Sequence, residues 1–247
     1  MGLNMNEWKK VWTKRVADMD ILKNEDERKV FLELKRSNGF DVQEEDPAYE
    51  AWVEQYRQIK RELSFHKNRD GGGIESVYEV GCGSGANLYL FEKDGITTGG
   101  VDYSEKLLEG ARQVLMSKDL ICEEAVCFPT SPVYDAVLSN SVFAYFENEE
   151  YAIKVLEKMY QKARYSIGIV DICDKEKEEE CMSCRKNTIE DYDEKYRNLP
   201  KLFYAKQFFL EFASKHNMDI KFSASDVTGY WNNDFVFNCY MFKREEV

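Results

Sequence analysis

The sequence is short of positive charge, of histidine and of long apolar runs, and each shortage excludes something. Across 247 residues, 34 Lys and Arg face 46 Asp and Glu, for a net charge of −12. Nucleic-acid binding draws most of its affinity from basic side chains on phosphates, so no nucleic-acid partner is expected. No apolar run approaches the roughly 18 residues that a membrane span requires, so no membrane partner is expected either. The first residues carry no basic-then-apolar leader. Asn6 stands where myristoylation after Gly2 would need Ser or Thr, which leaves cytoplasmic localisation as the expectation. There are two histidines, His66 and His216, and both read as surface or packing residues, so a carboxylate or phenol is the better candidate base. The pair Cys181 and Cys184 has no second pair and no neighbouring histidine. No metal site is expected there, and the two read as reduced thiols in a mobile segment. Cys122, Cys127, Cys173 and Cys239 fall in apolar strand-like runs and read as small buried hydrophobes. No internal repeat is visible at periods of about 20 to 50 residues.

The chain is nonetheless 43% hydrophobic and 14% aromatic, enough for a sizeable core. Its length suits one α/β domain with additions. Residues 6–66 read as helix. Trp8, Val11, Trp12, Val16 and Met19 share one face, Val30, Phe31 and Leu34 form a second stripe, and Trp52, Tyr56, Ile59 and Leu63 a third. Residues 66–73 break the periodicity as a linker. The expected organisation is therefore a helical cap over 1–67 and a main domain over 68–247.

From Ile74 onward short apolar runs alternate with amphipathic segments. Strands are expected at 76–80, 97–101, 125–128, 135–139 and 166–171, with helices at 86–93, 105–117 and 149–163 between them. Such alternation implies a doubly wound, mostly parallel α/β sheet that binds ligands at the carboxyl edge of its strands. Residues 172–200 read as a charged, irregular, lid-like insertion leaving that edge. A helix around Phe208, Phe209 and Phe212 follows. Two further strands, 219–224 and 235–243, are expected as an antiparallel edge pair, which brings the sheet to seven strands.

The informative segment is Val77-Tyr78-Glu79-Val80-Gly81-Cys82-Gly83-Ser84-Gly85-Ala86. A strand runs into closely spaced glycines and a helix, where the backbone turns sharply and approaches a ligand. The same glycines satisfy a dinucleotide-binding pattern. Three carboxylates favour another ligand. Glu79, inside the strand, suits an ammonium group better than a pyrophosphate. Asp102 ends the second strand, placed for both hydroxyls of a ribose. Glu124, followed by Ala125, is placed to accept from an adenine amino group. Ammonium, ribose and adenine together describe S-adenosylmethionine.

With these motifs, the Gly99-Gly100-Val101-Asp102-Tyr103-Ser104 run and the later Tyr134-to-Phe143 stretch, the chain resembles the class I S-adenosylmethionine-dependent methyltransferases of small-molecule type. The resemblance covers residues 74–247. It implies a Rossmann-like seven-stranded fold with S-adenosylmethionine as cofactor. Glu79, Gly81, Gly83 and Asp102 would hold methionine and ribose, Glu124 and Ala125 adenine, and the turn containing Asn140 and Ser141 would line the donor pocket. Tyr103, Phe143, Tyr145 and Phe146 are candidates for an aromatic cage around the sulfonium. Asp171 and Asp174, just past the fifth strand, and Tyr145 are the candidate bases.

The turn Ser139-Asn140-Ser141-Val142 lacks the prolines of amino-methylating nucleic-acid enzymes. Phe128-Pro129-Thr130 likewise lacks the cysteine that cytosine C5 methylation needs. The expected activity is methyl transfer to an oxygen or nitrogen of a small metabolite or natural product. A protein methyltransferase and a non-catalytic S-adenosylmethionine-binding protein are the alternatives.

Overall fold

In the computed structural model, residues 7–40, 49–65, 67 and 72–244 are described. His66, Gly2 and Asn6 lie outside the described residues. The N-terminal region is helical in four pieces rather than throughout: α1 (Glu7–Trp12), α2 (Met19–Leu22), α3 (Glu27–Ser37) and α4 (Tyr49–Leu63). The breaks have local causes. Asp18 accepts from the N–H groups of Asp20 and Ile21 at the start of α2, and Asp26 caps α3 by accepting from Arg28. Such side-chain oxygens satisfy orphan helix N–H groups and so fix where a new helix starts.

The remaining chain forms β1 (Ser76–Val80), α5 (Ala86–Lys93), β2 (Thr97–Asp102), α6 (Glu105–Val114), β3 (Leu120–Cys122), β4 (Tyr134–Asn140), α7 (Glu149–Lys162), β5 (Ala163–Cys173), α8 (Glu178–Thr188), α9 (Tyr192–Lys195), α10 (Lys206–Lys215), β6 (Met218–Ala224) and β7 (Val236–Lys243). The strands make one seven-stranded sheet in the order β3-β2-β1-β4-β5-β7-β6. The first five strands are parallel; β7 runs antiparallel to both β5 and β6. Strand order reverses between β1 and β4, where a crevice opens at the carboxyl edge. This is the Rossmann-like methyltransferase fold.

Two cores sandwich the sheet. On one side α3, α4 and α5 pack Phe31, Leu34, Ile59, Leu63 and Phe91 against Val77 and Leu138. On the other, α7 and α10 bury Val155, Leu156, Met159, Phe209 and Phe212 against Val80, Val137 and Ile169. Each such fully buried side chain contributes about 1.5–3 kcal/mol. The cap helices thus share a core with the sheet, and α3 reaches the edge where the glycine turn sits.

Further expectations are corrected. The third strand is Leu120–Cys122, not 125–128, and a turn follows in which the Cys127 N–H donates to the Glu124 carbonyl. Strand pairing to β2 ends with Cys122 opposite Asp102, so the apolar run beyond it has no ladder to join. In consequence Cys122 and Cys127 are exposed, whereas Cys173 and Cys239 are buried. The 172–200 segment is ordered rather than irregular. β5 continues to Cys173, Asp174 caps a short 3-10 turn at Lys175–Lys177, and α8 and α9 follow. Three glutamates in the first turn of α8 face the positive end of its dipole. Cys181 is buried on that helix and Cys184 half-exposed, so they do not lie in a loose loop.

Candidate active site

The glycine turn builds the floor of the site from backbone. Gly81 sits at φ +76°, and a Cβ there would meet Val142 Cγ2 at 2.4 Å; Gly83 sits at φ +54°, and its Cβ would meet Asn38 Oδ1 at 2.2 Å. Both positions therefore require glycine, for conformation and for space. The Gly81 N–H donates to the Val101 carbonyl at 2.8 Å, tying the turn to the end of β2. From the cap, Asn38 Oδ1 accepts from the Ser84 N–H at 2.7 Å, while Ser37 and Ser84 hydroxyls meet at 2.7 Å.

Over this floor opens a cavity of about 1200 Å³. A pocket for one small ligand measures roughly 300–1,000 Å³, so two ligands fit side by side. Of the predicted site residues, Glu79, Gly81, Gly83, Asp102, Tyr103, Glu124, Ala125, Asn140, Ser141, Tyr145, Phe146 and Asp171 line it, while Phe143 and Asp174 do not. Elements far apart in sequence thus converge on the crevice between β1 and β4.

Asp102 is fixed by backbone. One oxygen accepts from Gly83 N–H at 2.9 Å and the other from Ser104 N–H at 2.8 Å. Burial outweighs these two bonds and pushes its carboxyl up to about 6. The same carboxylate therefore starts the turn into α6 and faces the cavity. Glu79 is 2% exposed; its Oε1 accepts from Asn87 Nδ2 at 2.6 Å, and its Oε2 has no partner. Burial drives it up to about 8, opposed by the Asn87 hydrogen bond and the charge of Lys35. A buried carboxylate oxygen without a donor costs several kcal/mol unless a ligand supplies one. An ammonium group does so, and this orphan oxygen fits the methionine end of S-adenosylmethionine. Asn140 Nδ2 and the indole N–H groups of Trp12 and Trp52, all on cavity-lining residues, are likewise buried without partners.

Asp171 adopts φ +61° at the carboxyl end of β5. Its carboxylate accepts from the Ser141 hydroxyl, from Tyr230 Oη at 3.1 Å and from Asn232 Nδ2 at 3.3 Å. Tyr145 lies edge-on to Trp8 and Trp12, with centroids 4.8 and 5.2 Å away. Burial pushes its phenol upward, away from use as a base at neutral pH, while Lys201 pulls the other way. Glu124 reaches the rim rather than starting a strand, and its carboxylate is ion-paired with Lys9.

Asp174 does not join the site. It caps the turn after β5 by accepting from Glu176 N–H at 3.0 Å, and it lies 3.6 Å from Lys206. Phe143 is buried beneath the wall, against Phe146 and Tyr204. His216 packs between Tyr160 and Phe212 and meets Glu157 at 3.0 Å, as a packing histidine would.

Sequence reasoning missed Lys35, Asn87, Tyr230 and Asn232. Lys35 is 1% exposed, with its ammonium 3.8 Å from the ring centroids of both Phe40 and Trp52. Burial lowers it to about 7, offset in part by the charges of Glu79 and Asp171. Its only sequence signal is a charge between apolar helix positions, which reads as surface. Asn87, one turn into α5 and facing Glu79, was the findable one.

Comparison with known proteins agrees with this geometry. Residues 78–164 match the methyltransferase domain family. Peramine synthetase ppzA of Metarhizium majus is 27% identical over 109 residues, covering 37% of this chain but 4% of that much longer protein. Among solved structures, the plantazolicin methyltransferase BpumL with S-adenosylhomocysteine superposes with a TM-score of 0.60 at 17% identity, over 99% of this chain and 100% of BpumL. Magnesium protoporphyrin IX methyltransferase of Synechocystis PCC 6803 gives 0.60 at 14% identity, over 92% and 100%. The small RNA methyltransferase HEN1 gives 0.56 at 19% identity, over 79% of this chain and 25% of HEN1. These likenesses establish the fold. The family match, with the orphan carboxylate above the glycine turn, places a methyltransferase domain over residues 78–164 of the chain. The BpumL and magnesium protoporphyrin IX methyltransferase structures both hold S-adenosylhomocysteine.

Proposed function

We propose that this enzyme methylates an oxygen or nitrogen of a small metabolite or natural product. The observation that carries this reading is the enclosure of the cavity. Trp8 and Trp12 of α1 cover it from the cap, and Arg185, Thr188 and Tyr196 wall it from the 172–200 segment. An acceptor reaching the donor must fit between them, which favours a small molecule over a folded protein. HEN1 shares the fold, so fold alone does not discriminate against nucleic acid. The net charge of −12 is what disfavours it. Among the described residues no helix is long and apolar enough to cross a membrane.

S-adenosylmethionine, when bound, supplies a sulfonium methyl that passes to the acceptor's lone pair as the carbon–sulfur bond breaks, leaving S-adenosylhomocysteine. In the reading proposed here, Glu79 takes the ammonium and Lys35 the carboxylate of the methionine end. Asp102 takes the ribose hydroxyls, and Ala125 with the Glu124 rim borders the adenine. Asn140 and Ser141 border the methyl, and Tyr145 offers an aromatic edge near it. Asp171 receives the acceptor's proton, its position set by Ser141, Tyr230 and Asn232. Alignment and exclusion of water do most of the remaining work.

Titration calorimetry with S-adenosylhomocysteine, with NAD as control, tests the donor half. Micromolar binding to the first alone is expected, and product release with small acceptors tests the rest. Binding of NAD in its place would overturn the assignment of Glu79 and Asp102.

A further inference from the structure

We propose that the acceptor carries a carboxylate on an aromatic or otherwise apolar body, and that Arg185 and Lys201 anchor that carboxylate. This inference rests on the methyltransferase reading and names the acceptor class.

Arg185, on α8, is 6% exposed and lines the cavity. Its guanidinium rests on aromatic faces, 5.4 Å from Tyr192, 5.2 Å from Tyr196 and 5.5 Å from Trp231. Its Nε donates to Tyr192 Oη at 3.2 Å, which orients the planar group. Lys201 lines the same wall, half-buried, with its ammonium 5.5 Å from the Tyr145 ring. The two cations repel one another. No described carboxylate forms an ion pair with either, although the chain has an excess of acids.

The nearby acidic groups do not supply the missing charge. Tyr145 and Cys173 are both pushed upward by burial, Cys173 to about 11, so both stay neutral at physiological pH. Asp171 acts on Lys201 only from a distance, its oxygens already accepting from Ser141, Tyr230 and Asn232. Two like charges held in one cavity wall are unfavourable unless an anion joins them. A guanidinium stacked on rings presents a planar edge that matches a carboxylate in a two-point contact. The surrounding surface, from Trp8, Tyr145, Tyr196 and Trp231, suits an apolar or aromatic body. A carboxylate gripped in this way has its lone pairs engaged, so it is the handle, and the methyl goes to another atom of the acceptor.

The test uses the full chain saturated with S-adenosylhomocysteine. Binding of 4-hydroxybenzoate, anthranilate and indole-3-acetate is measured by calorimetry beside the corresponding neutral carboxamides. At least one acid is expected to bind ten or more times tighter than its amide. Arg185→Gln and, separately, Lys201→Gln are each expected to remove most of that preference while S-adenosylhomocysteine affinity changes less than twofold. Should Arg185→Gln fail to fold, the half-buried Lys201→Gln carries the test alone. Acids that bind no better than amides, or a preference that survives both substitutions, would overturn the proposal. Loss of S-adenosylhomocysteine binding by the unsubstituted protein would instead count against the methyltransferase reading.

Discussion

Around Gly81 and Gly83 the main chain itself forms the cavity surface, and Asp102 is held by two backbone N–H groups. Around Arg185 and Lys201 the surface consists of long side chains resting on rings. The donor half is thus fixed by conformation, which only particular residues permit, whereas the acceptor half is fixed by packing, which many residue combinations achieve. The first kind of site tolerates almost no substitution and looks alike wherever it occurs. The second can be retuned to a new acceptor without disturbing the first. Asp171 stands at the junction, on a strand of the sheet but held by residues of both halves.

The largest expected effect falls at that junction. Asp171→Asn keeps a residue type that tolerates left-handed backbone, so the strand end should survive at φ +61°. It removes the proposed proton acceptor, and general-base loss typically costs about 10²–10⁴ in rate. Single-turnover kinetics should show a fall of at least about a hundredfold, with S-adenosylhomocysteine affinity unchanged. An unaltered rate would mean that the acceptor needs no base, and the two halves would then meet only through positioning.

Next comes Asp102→Ala, which attacks the donor half where it is most rigid. Two charge-assisted hydrogen bonds to ribose, each worth roughly 1.5 kcal/mol, correspond to about a hundredfold in affinity. Circular dichroism should report an intact fold, and Asp102→Asn, which retains one acceptor for the turn, should lose less. Unchanged affinity by calorimetry would remove Asp102 from the ribose role.

Glu79→Gln is expected to cost about tenfold in donor affinity at pH 8, from the loss of one ion pair in a buried setting. Its pH signature is more telling. The carboxyl rises from 4.5 to about 8 in the folded protein, so ligand-free stability should fall as pH rises through that interval. Binding an ammonium favours the ionised form. Relative to the Gln variant, which shares Lys35, donor affinity of the unsubstituted protein should therefore gain as pH approaches 8 and level off above it. The Gln variant should lack Glu79's share of both slopes and keep those of Asp102 and Lys35. If both proteins behave alike, Glu79 is not the ammonium partner.

The contrast between the halves also explains what the sequence made legible. The sheet, its order of alternation and the residues of the glycine turn are readable because period, glycine and carboxylate each leave a local mark. Glu79 was legible from its offset to Gly81, and Asp102 from its position at the end of the second strand, in the run from Gly99 to Ser104. Strand β3 was misread because the apolar run after Cys122 resembles a strand, while pairing to β2 ends at Asp102. Arg185 lies beside a run of glutamates and lysines, and nothing local distinguishes it from solvated charge. Its role emerges only when α8 brings it onto Tyr196 and Trp231. Tyr230 and Asn232 sit in what reads as a plain turn between β6 and β7, yet that turn folds over Asp171.

Lys35 sharpens the comparison most finely, because it reaches the donor half from the cap and is held there by rings, in the manner of the acceptor half. Burial lowers it from 10.5 to about 7. For a base lowered on folding, the cost of burying its charge is fully present below pH 7. That cost is relieved as pH rises from about 7 toward 10.5. Lys35→Met keeps the apolar stem between Phe40 and Trp52 and removes the charge. The variant should accordingly be more stable than its parent at pH 6, with the advantage shrinking at pH 9 as the parent's amine deprotonates. If the ammonium holds the donor's carboxylate, the same change should weaken S-adenosylhomocysteine about threefold at pH 6, a loss of well under 1.4 kcal/mol. Thermal melts at the two pH values separate these effects from each other. A variant that gains stability without losing affinity would return Lys35 to the cap as a packing residue, and the donor site would then be held by the sheet edge alone.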